Sequence, residues 1–350
     1  MRALMLVVVL TALGCSFVAD SAPSRASHGA SLTPVRANVL PFLSFAPFFI
    51  AEEEGFFAEE GIRLEMVPFR SGPDALPALI NGQIDVLGGG ASAGTFNAVA
   101  QGLPIALVAD KGHLEPGDHV SAVLIRPELP RTTEIEDPSN LKGRRISLIF
   151  PGSLMHFAVH LLLHASDLTF DDVTTVRLGW SAVRDALHSG AVDVVLTVEP
   201  LVTQLTAGGH ADVLHYYGEH YQYFAPTAQI AVMMYGPRLL IQNRDLGRRF
   251  MRAYLRGVRG YRQGKTQHNL DILERHTGLS KDILRACDWY RIHPDGTLDQ
   301  ESLAAFQAWL HQENLVPEPV DIIDLVDTEF TNWAVRSLAA DQSRESDDPN

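Results

Sequence analysis

The chain has 350 residues, a formal net charge of −14 at pH 7 and 46% hydrophobic residues. This length is enough for two domains with their own cores. The acidic balance, without a basic patch near aromatic residues, argues against nucleic acid as a partner. The cysteines are Cys15 and Cys287. Cys287 has no partner if Cys15 is modified, so we expect no disulfide framework.

Residues 1–14 consist of an early arginine and a nearly continuous apolar run that ends at Cys15. The run is too short to span a bilayer and is typical of an export signal. Small residues directly before the cysteine favour a lipoprotein cleavage site, with Cys15 acylated. An ordinary signal peptide cut near residues 19–22 is the alternative. Residues 16–34 are predicted to be a flexible tether, and no later apolar run is long enough to cross a membrane.

Residues 35–92 alternate between strand and helix patterns and end in a Gly-Gly-Gly-Ala-Ser turn. The predicted elements are, in order, strand 35–40, helix 48–57, strand 62–67, helix 74–81 and strand 84–87. Asp74 is predicted to cap the second helix. Alternation at this spacing predicts parallel βαβ units.

A partial copy of this stretch lies about a hundred residues later. The matching residues are Asp74-Ala75-Leu76, Gly82 and Asp85-Val86 in the first copy and Asp185-Ala186-Leu187, Gly190 and Asp193-Val194 in the second. The spacing from the glycine to the Asp-Val pair is the same in both copies, whereas the Asp-Ala-Leu run begins eight residues before the glycine in the first copy and five residues before it in the second. A similar strand–turn–helix order precedes each copy. Two copies of one plan predict two similar lobes.

Two extended apolar segments, 120–125 and 230–235, flank the second copy and are predicted to cross between the lobes. The predicted organisation is a discontinuous first lobe of residues 35–124 and 232–338, a second lobe of residues 125–231 and a disordered tail of residues 339–350. Beyond residue 237 the pattern is helical, with helices expected at 246–263, 299–313 and 320–338.

Several short motifs lie between residues 35 and 260. They are Ala51…Gly55-Phe56-Phe57…Glu60-Gly61, Val67-Pro68-Phe69, Gly82-Gln83-Ile84-Asp85-Val86, Gln101-Gly102-Leu103-Pro104, Asp137…Leu141-Lys142-Gly143-Arg144-Arg145-Ile146 and Glu199-Pro200. In these motifs the chain resembles the substrate-binding proteins of bacterial ABC importers for nitrate, sulfonates, taurine and thiamine-pyrimidine precursors. The resemblance implies an α/β, two-lobed type II periplasmic-binding fold. Each lobe would be a mostly parallel sheet flanked by helices, with the ligand cleft between them.

Ligands in such folds bind outside the carboxyl ends of parallel strands, where loops and helix N-termini point inward. The first-lobe loops that meet this condition supply Ser44, Phe45, Phe48, Phe69, Gly72, Gly90, Ala91 and Ser92. The repeat then supplies Gly152, Ser153, Trp180, Ser181 and Glu199 from the second lobe. The Asp110-Lys111 loop also faces the predicted cleft.

Each candidate has a structural alternative. The three glycines before Ala91 either form a tight turn or leave N–H groups open to a ligand. The side chains of Phe45 and Phe48 either belong to the hydrophobic core or face the cleft. Trp180 either stacks on a ligand or packs between the lobes, and Glu199 either accepts a ligand hydrogen bond or is a solvated residue before a proline.

Two further patterns are interpreted as solvated helix faces. His156, His160 and His164 share one face, and two of them have the spacing to chelate a metal, but all three sit on one helix. We therefore predict no metal site. The arginines between 248 and 262 form a stripe whose functional alternative is docking to the importer or to anionic headgroups.

The resemblance implies an extracytoplasmic solute-binding protein that acts as a monomer, needs no cofactor and has no catalytic residues. Its expected partners are a small organic solute, an ABC permease and, through a lipid on Cys15, the membrane. Its expected location is the periplasm or the outer face of the cytoplasmic membrane. The balance of aromatic residues over cations favours a pyrimidine- or flavin-like heterocycle. The alternatives are a metal-binding receptor or an enzyme of the pyrimidine-precursor or menaquinone-pathway type. Against the fungal pyrimidine synthases, no cysteine lies between residues 15 and 287.

Overall fold

The computed structural model describes residues 32–132, 134, 136–148, 150–220 and 228–347. The predicted export signal, Cys15 and most of the tether lie outside these residues. None of the described helices is both long enough and apolar enough to span a membrane.

The first sheet has five strands in the order β2-β1-β3-β10-β4. β1 (Thr33–Val39) pairs in parallel with β2 (Ile62–Pro68) and β3 (Val86–Gly89). β10 (Ala228–Tyr235) runs antiparallel between β3 and β4 (Ala106–Leu114). The chain therefore returns to this sheet after building the second one.

The second sheet repeats the plan in the order β7-β6-β8-β5-β9. β6 (Arg145–Leu148) pairs in parallel with β7 (Thr174–Arg177) and β8 (Val194–Val198). β5 (Ser121–Ile125) lies antiparallel between β8 and β9 (Asp212–Tyr216). The predicted α/β architecture with two mostly parallel sheets is confirmed.

The repeated Asp-Val pair has the same structural role in both sheets. Asp85 Oδ2 accepts a hydrogen bond from the Arg36 N–H at 2.8 Å, and Asp193 Oδ2 accepts one from the Arg145 N–H at 2.9 Å. Each aspartate thus ties the start of the third strand of its unit to the first strand. Burial raises the pKa of Asp193, but the hydrogen bonds from Arg145 outweigh this effect and lower it to about 2.

The helices cover the two sheets. They are α1 (Ala46–Glu53), α2 (Phe56–Glu59), α3 (Gly72–Ile80), α4 (Ala93–Ala100), α5 (Leu154–Ala165), α6 (Val183–His188), α7 (Leu201–Ala207), α8 (Arg244–Tyr261), α9 (Gln267–Thr277), α10 (Lys281–Ala286), α11 (Gln300–Gln312), α12 (Ile322–Leu325) and α13 (Glu329–Asp347). The predicted helix 48–57 is divided because Gly55 has a left-handed φ of 73°. The predicted cap of α3 was wrong, since Ser71 Oγ accepts from the Asp74 N–H at 3.2 Å.

The residues at which the chain passes from one sheet to the other differ by a few positions from the predicted lobe boundaries. Residues 121–124 were assigned to the first lobe but pair within the second sheet, and residues 228–231 pair within the first. The predicted tail was wrong for residues 339–347, which continue α13. Leu338 is buried, and Asp341 forms an ion pair with Arg252 of α8, so this last helix is held against the core.

The arginine stripe on α8 forms ion pairs with neighbouring elements. Arg252 pairs with Glu60 and Asp341, and Arg256 pairs with Glu59. Arg248 pairs with Glu329 of α13. The interpretation as a freely solvated face was wrong for these arginines, because the acidic residues of α2 and α13 lie directly across from them.

Candidate ligand-binding site

A cavity of about 120 Å³ lies between the two sheets, at the carboxyl ends of β1 and β3 in the first and of β6, β7 and β8 in the second. Residues of both sheets' loops line it, together with β10 and the segment before α11. The lining is Leu40, Phe42, Ser44, Phe45, Ser71, Gly72, Pro73, Gly89, Gly90, Ala91, Ser92, Lys111, Phe150, Ser153, Leu154, Met155, Trp180, Val198, Ile230, Ala231 and Tyr290. This position follows the rule for ligand sites in open α/β sheets.

Most of the residues predicted from the sequence meet in this cavity. Those that line it are Ser44, Phe45, Gly72, Gly90, Ala91, Ser92, Ser153 and Trp180. They come from five separate loops, so the strand-end argument brought distant parts of the chain to one place.

Five of the predicted residues do not line the cavity, namely Phe48, Phe69, Gly152, Ser181 and Glu199. Phe48 is a core residue, with ring centroids 5.9 Å from Phe250 and 5.3 Å from Tyr254. Phe69 is half-buried and packs against the edges of the hydrophobic cores. Ser181 is exposed.

Glu199 was predicted to contact the ligand, but its carboxylate faces away from the cavity. It accepts hydrogen bonds from the Thr203 N–H at 3.0 Å and the Thr203 hydroxyl at 2.7 Å, in the first turn of α7. Burial raises the pKa of Glu199, and the Thr203 hydrogen bonds oppose that shift. Only its backbone approaches the site, because the Tyr290 hydroxyl donates to the Glu199 carbonyl at 2.9 Å. Glu199 therefore holds one wall of the cavity in place.

Gly152 joins the lobes beside the cavity. Its carbonyl accepts from the Ala93 N–H at 2.8 Å, and Ser92 and Ser153 form an antiparallel bridge. A Cβ on Gly152, whose φ is +71°, would lie 3.0 Å from the Ala93 side chain. This glycine therefore serves the contact between the lobes.

An aromatic wall forms one side of the cavity. The Trp180 ring lies edge-on to Phe42 of the first lobe, with centroids 5.4 Å apart, and edge-on to Phe150 of its own lobe at 6.2 Å. Trp180 thus contacts both lobes while presenting part of its surface to the cavity. Such rings supply apolar contact area for a flat solute.

Among the described residues that line the cavity, Lys111 is the one whose side chain ordinarily carries a positive charge. This side chain is fully buried. Its Nζ donates to Ser44 Oγ at 2.8 Å and lies 3.4 Å from the centroid of the Phe45 ring. Burial lowers the pKa of Lys111 well below its usual range, and the nearby charge of Asp110 opposes that shift. The lysine passes over Gly88, where an added Cβ would lie 2.6 Å from Lys111 Cε.

Three helices begin at the cavity. Ser71, Ser92 and Ser153 are the N-cap residues of α3, α4 and α5, and all three line it. Helix N-termini carry a partial positive charge that favours anionic or acceptor-rich groups. Together with Lys111, they make the polar side of the cavity electropositive.

The sequence prediction missed several lining residues. Tyr290 comes from the irregular segment between α10 and α11, where no periodicity marks its position. Ser71 and Phe42 flank residues that were predicted, and the Ser-Gly-Pro helix start was a usable signal for Ser71. Lys111 was noted as facing the cleft, but it lies within β4 and is buried, which is rare for lysine.

Among the described residues, Asp110, His113 and His293 form the one group of three whose ligand atoms are close enough for a metal ion. The Asp110 carboxylate already accepts from His113 Nδ1, the His293 N–H, the Gly112 N–H and Gln229 Nε2, at 2.7–2.8 Å. The two imidazole rings are stacked, 4.1 Å apart and inclined by 13°. Their in-plane lone pairs therefore run side by side instead of converging on one ion, and the group fits a hydrogen-bonded network better than a metal site.

The histidines of α5 are less exposed than predicted. His156 Nδ1 accepts from the Gly152 N–H at 3.1 Å, and its ring lies edge-on to Trp309 of α11 at 4.9 Å. Burial lowers the pKa of His156 to about 4. His160 also packs near Trp309, whereas His164 is exposed. The interpretation as a solvated face was therefore wrong for His156 and His160.

Comparison with known proteins finds both a binding protein and an enzyme among the relatives of this chain. A putative aliphatic sulfonates-binding protein of Bacillus subtilis is 22% identical over 301 residues, covering 83% of this chain and 86% of the relative. A 4-amino-5-hydroxymethyl-2-methylpyrimidine phosphate synthase of Aspergillus parasiticus is 25% identical over 154 residues, covering 44% and 42% of the two chains.

The fold is also found among solved structures of import components. The zinc-bound ligand-binding component of an ABC-type import system from Staphylococcus aureus matches with a TM-score of 0.71 and 18% identity, covering 86% of this chain and 99% of that one. The predicted periplasmic-binding fold is thereby confirmed. The family model described as NMT1/THI5 like matches residues 43–263, more than half of the chain. The chain therefore belongs to the NMT1/THI5-like family.

Proposed function

We propose that the protein is an extracytoplasmic solute-binding protein that delivers a small organic solute to an ABC importer. The observation that supports this most is the cavity between the two sheets, walled by Trp180 and Ser153 on one side and by Ser44, Ser92 and Lys111 on the other. A solute held there contacts both lobes, so its binding favours the closed arrangement. In this proposal the protein acts as a monomer, anchored through Cys15 at the outer face of the cytoplasmic membrane.

The lining supports a solute with a flat apolar body and one acceptor-rich end. Phe42, Phe150 and Trp180 supply the apolar side, which agrees with the pyrimidine- or flavin-like ring favoured by the sequence. The sequence favoured that ring because the predicted cleft contained many aromatic residues, few cations and one carboxylate, Glu199. Because the Glu199 carboxylate faces α7 and Lys111 lines the cavity, we propose that the polar end of the solute is an acceptor or an anion.

An enzyme on the same fold is the second candidate, because the relatives include pyrimidine phosphate synthases. Among the described residues, those that line the cavity include no cysteine, histidine or carboxylate, which are common nucleophiles and general bases. Cys287 is buried beside Glu199, and burial raises the pKa of its thiol to about 12, so it is held as an unreactive thiol. These features favour binding over catalysis.

A thermal-shift screen tests the proposal. The full mature chain is heated with pyrimidines, flavins, aliphatic sulfonates, nitrate and zinc, because a solute that binds only the folded state raises Tm by mass action. We expect at least one organic solute to raise Tm and to be recovered chemically unchanged after incubation. A shift by zinc alone would favour the metal receptor, and conversion of the solute would favour the enzyme.

A further inference from the structure

The Lys111 side chain has no carboxylate partner in the described part of the chain. Its Nζ donates to Ser44 Oγ and faces the Phe45 ring, and no ion pair involves it. The neighbouring Asp110 directs its carboxylate to His113, His293, Gly112 and Gln229 instead. A fully buried ammonium without a counter-ion is costly.

Lys111 nevertheless sits where a ligand would supply the missing charge. It lines the same cavity at which the Ser71-, Ser92- and Ser153-capped helices begin. The three helix N-termini and a protonated Lys111 are electropositive features of this cavity, and none of the described residues that line it is acidic.

We propose that Lys111 selects the charge of the solute: an anionic group enters as its counter-ion, and Lys111 Nζ takes up one proton from solvent in the same step. The N–H bond that forms as the amine becomes an ammonium takes its proton from a hydronium ion or a buffer acid, whose own bond to that proton breaks, and no bond of the solute is broken. This inference depends on the proposed function, because it requires the cavity to be the solute site.

Two properties of the free and bound states give the direction of the effect. Without a ligand, burial lowers the pKa of Lys111 well below its usual range, which favours the neutral amine over the ammonium. A bound anion stabilises the ammonium and raises that pKa. Between the two pKa values, binding consumes a proton, so affinity for an anion falls as pH rises, by up to about tenfold per pH unit.

The test uses two matched pairs of probes, orotate with uracil and pentane-1-sulfonate with its sulfonamide. Calorimetry at pH 8.5, in Tris and in triethanolamine, two cationic buffers whose heats of protonation differ, gives the number of protons taken up from the dependence of the heat on the buffer. We expect the anion of at least one pair to bind more tightly than its neutral partner, with uptake approaching one proton. Lys111→Met should abolish both the uptake and the preference for the anion.

Arg70→Met is the matched control, because Arg70 is an exposed cation in the loop before α3 and does not line the cavity. It should retain the preference and the proton uptake. The ligand-free Tm of Lys111→Met shows whether that variant is folded, and NMR titration of Cε-labelled lysine in the unmodified protein follows Lys111 directly. Anion binding without uptake, uptake that persists in Lys111→Met, or binding of the neutral probes alone would overturn the inference and leave the proposed solute site standing. If none of the four probes bound, the ligand class would fail together with the inference.

Discussion

Replacing Trp180 with alanine should weaken solute binding far more than it destabilises the ligand-free protein. The Trp180–Phe42 contact at 5.4 Å joins the two lobes, so we expect it to form fully only when the cleft is closed. The Trp180–Phe150 contact at 6.2 Å lies within one lobe and exists in both states. Only the first contact, together with the ring's contact with the solute, therefore contributes to affinity.

Aromatic contacts of this kind contribute about 0.5–1.5 kcal/mol each. Loss of the Phe42 contact and of a similar ligand contact should cost about 1–3 kcal/mol, which raises Kd by about 5- to 150-fold. Calorimetric titration with a solute found in the screen measures Kd, and urea unfolding measures the stability of the free protein.

Trp180→Phe should recover part of the affinity because it keeps a ring in the wall. Trp289→Phe is the matched control, since Trp289 stacks on Tyr261 at 5.1 Å and does not line the cavity. An unchanged Kd in Trp180→Ala would show that the aromatic wall takes no part in binding, and the reasoning would be refuted.

The remaining predictions concern support of the site. Glu199→Ala leaves two Thr203 donors without their acceptor, so the free energy of unfolding should fall by about 1–3 kcal/mol, with Kd changed less than threefold; a loss of binding at full stability would restore Glu199 as a ligand contact. Gly88→Ala places a methyl group 2.6 Å from Lys111 Cε, and such overpacking should cost about 1–3 kcal/mol in urea unfolding; a neutral result would mean that the lysine moves freely. Burial lowers the pKa of His156 to about 4 from an ordinary 6.5, so the unfolded state binds more protons between these values and stability should fall as pH decreases through that window. His156→Gln should therefore lose less Tm between pH 7 and pH 5 than the unmodified protein, and an equal loss would assign the acid sensitivity to other groups.

The repeat in the sequence predicted which strands end at the cavity better than it predicted which side chains line the cavity. Ala91 and Glu199 do occupy equivalent positions after the third strands of their units, as the matched Asp-Val pairs required. Side-chain length then separates them. Alanine leaves the backbone of its loop at the cavity, whereas the longer glutamate reaches the first turn of α7 and is bound there.

Residues from irregular or unusual environments could not be predicted in this way. Tyr290 reaches the cavity from a segment without helix or strand periodicity, and its position depends on its hydrogen bond to the Glu199 carbonyl. Lys111 looked like a loop residue because buried lysines are rare. Its place inside β4 is accommodated by Gly88, Ser44 and the face of the Phe45 ring, which are distant in sequence.

A crystal structure of the protein with the solute that raises Tm most tests the central claim directly. The account predicts density for that solute between Trp180 and Lys111, with an acceptor or anionic group about 3 Å from Lys111 Nζ, a hydrogen-bond distance. Density at Asp110 and His293 instead, or in a surface groove with the cavity unfilled, would contradict it.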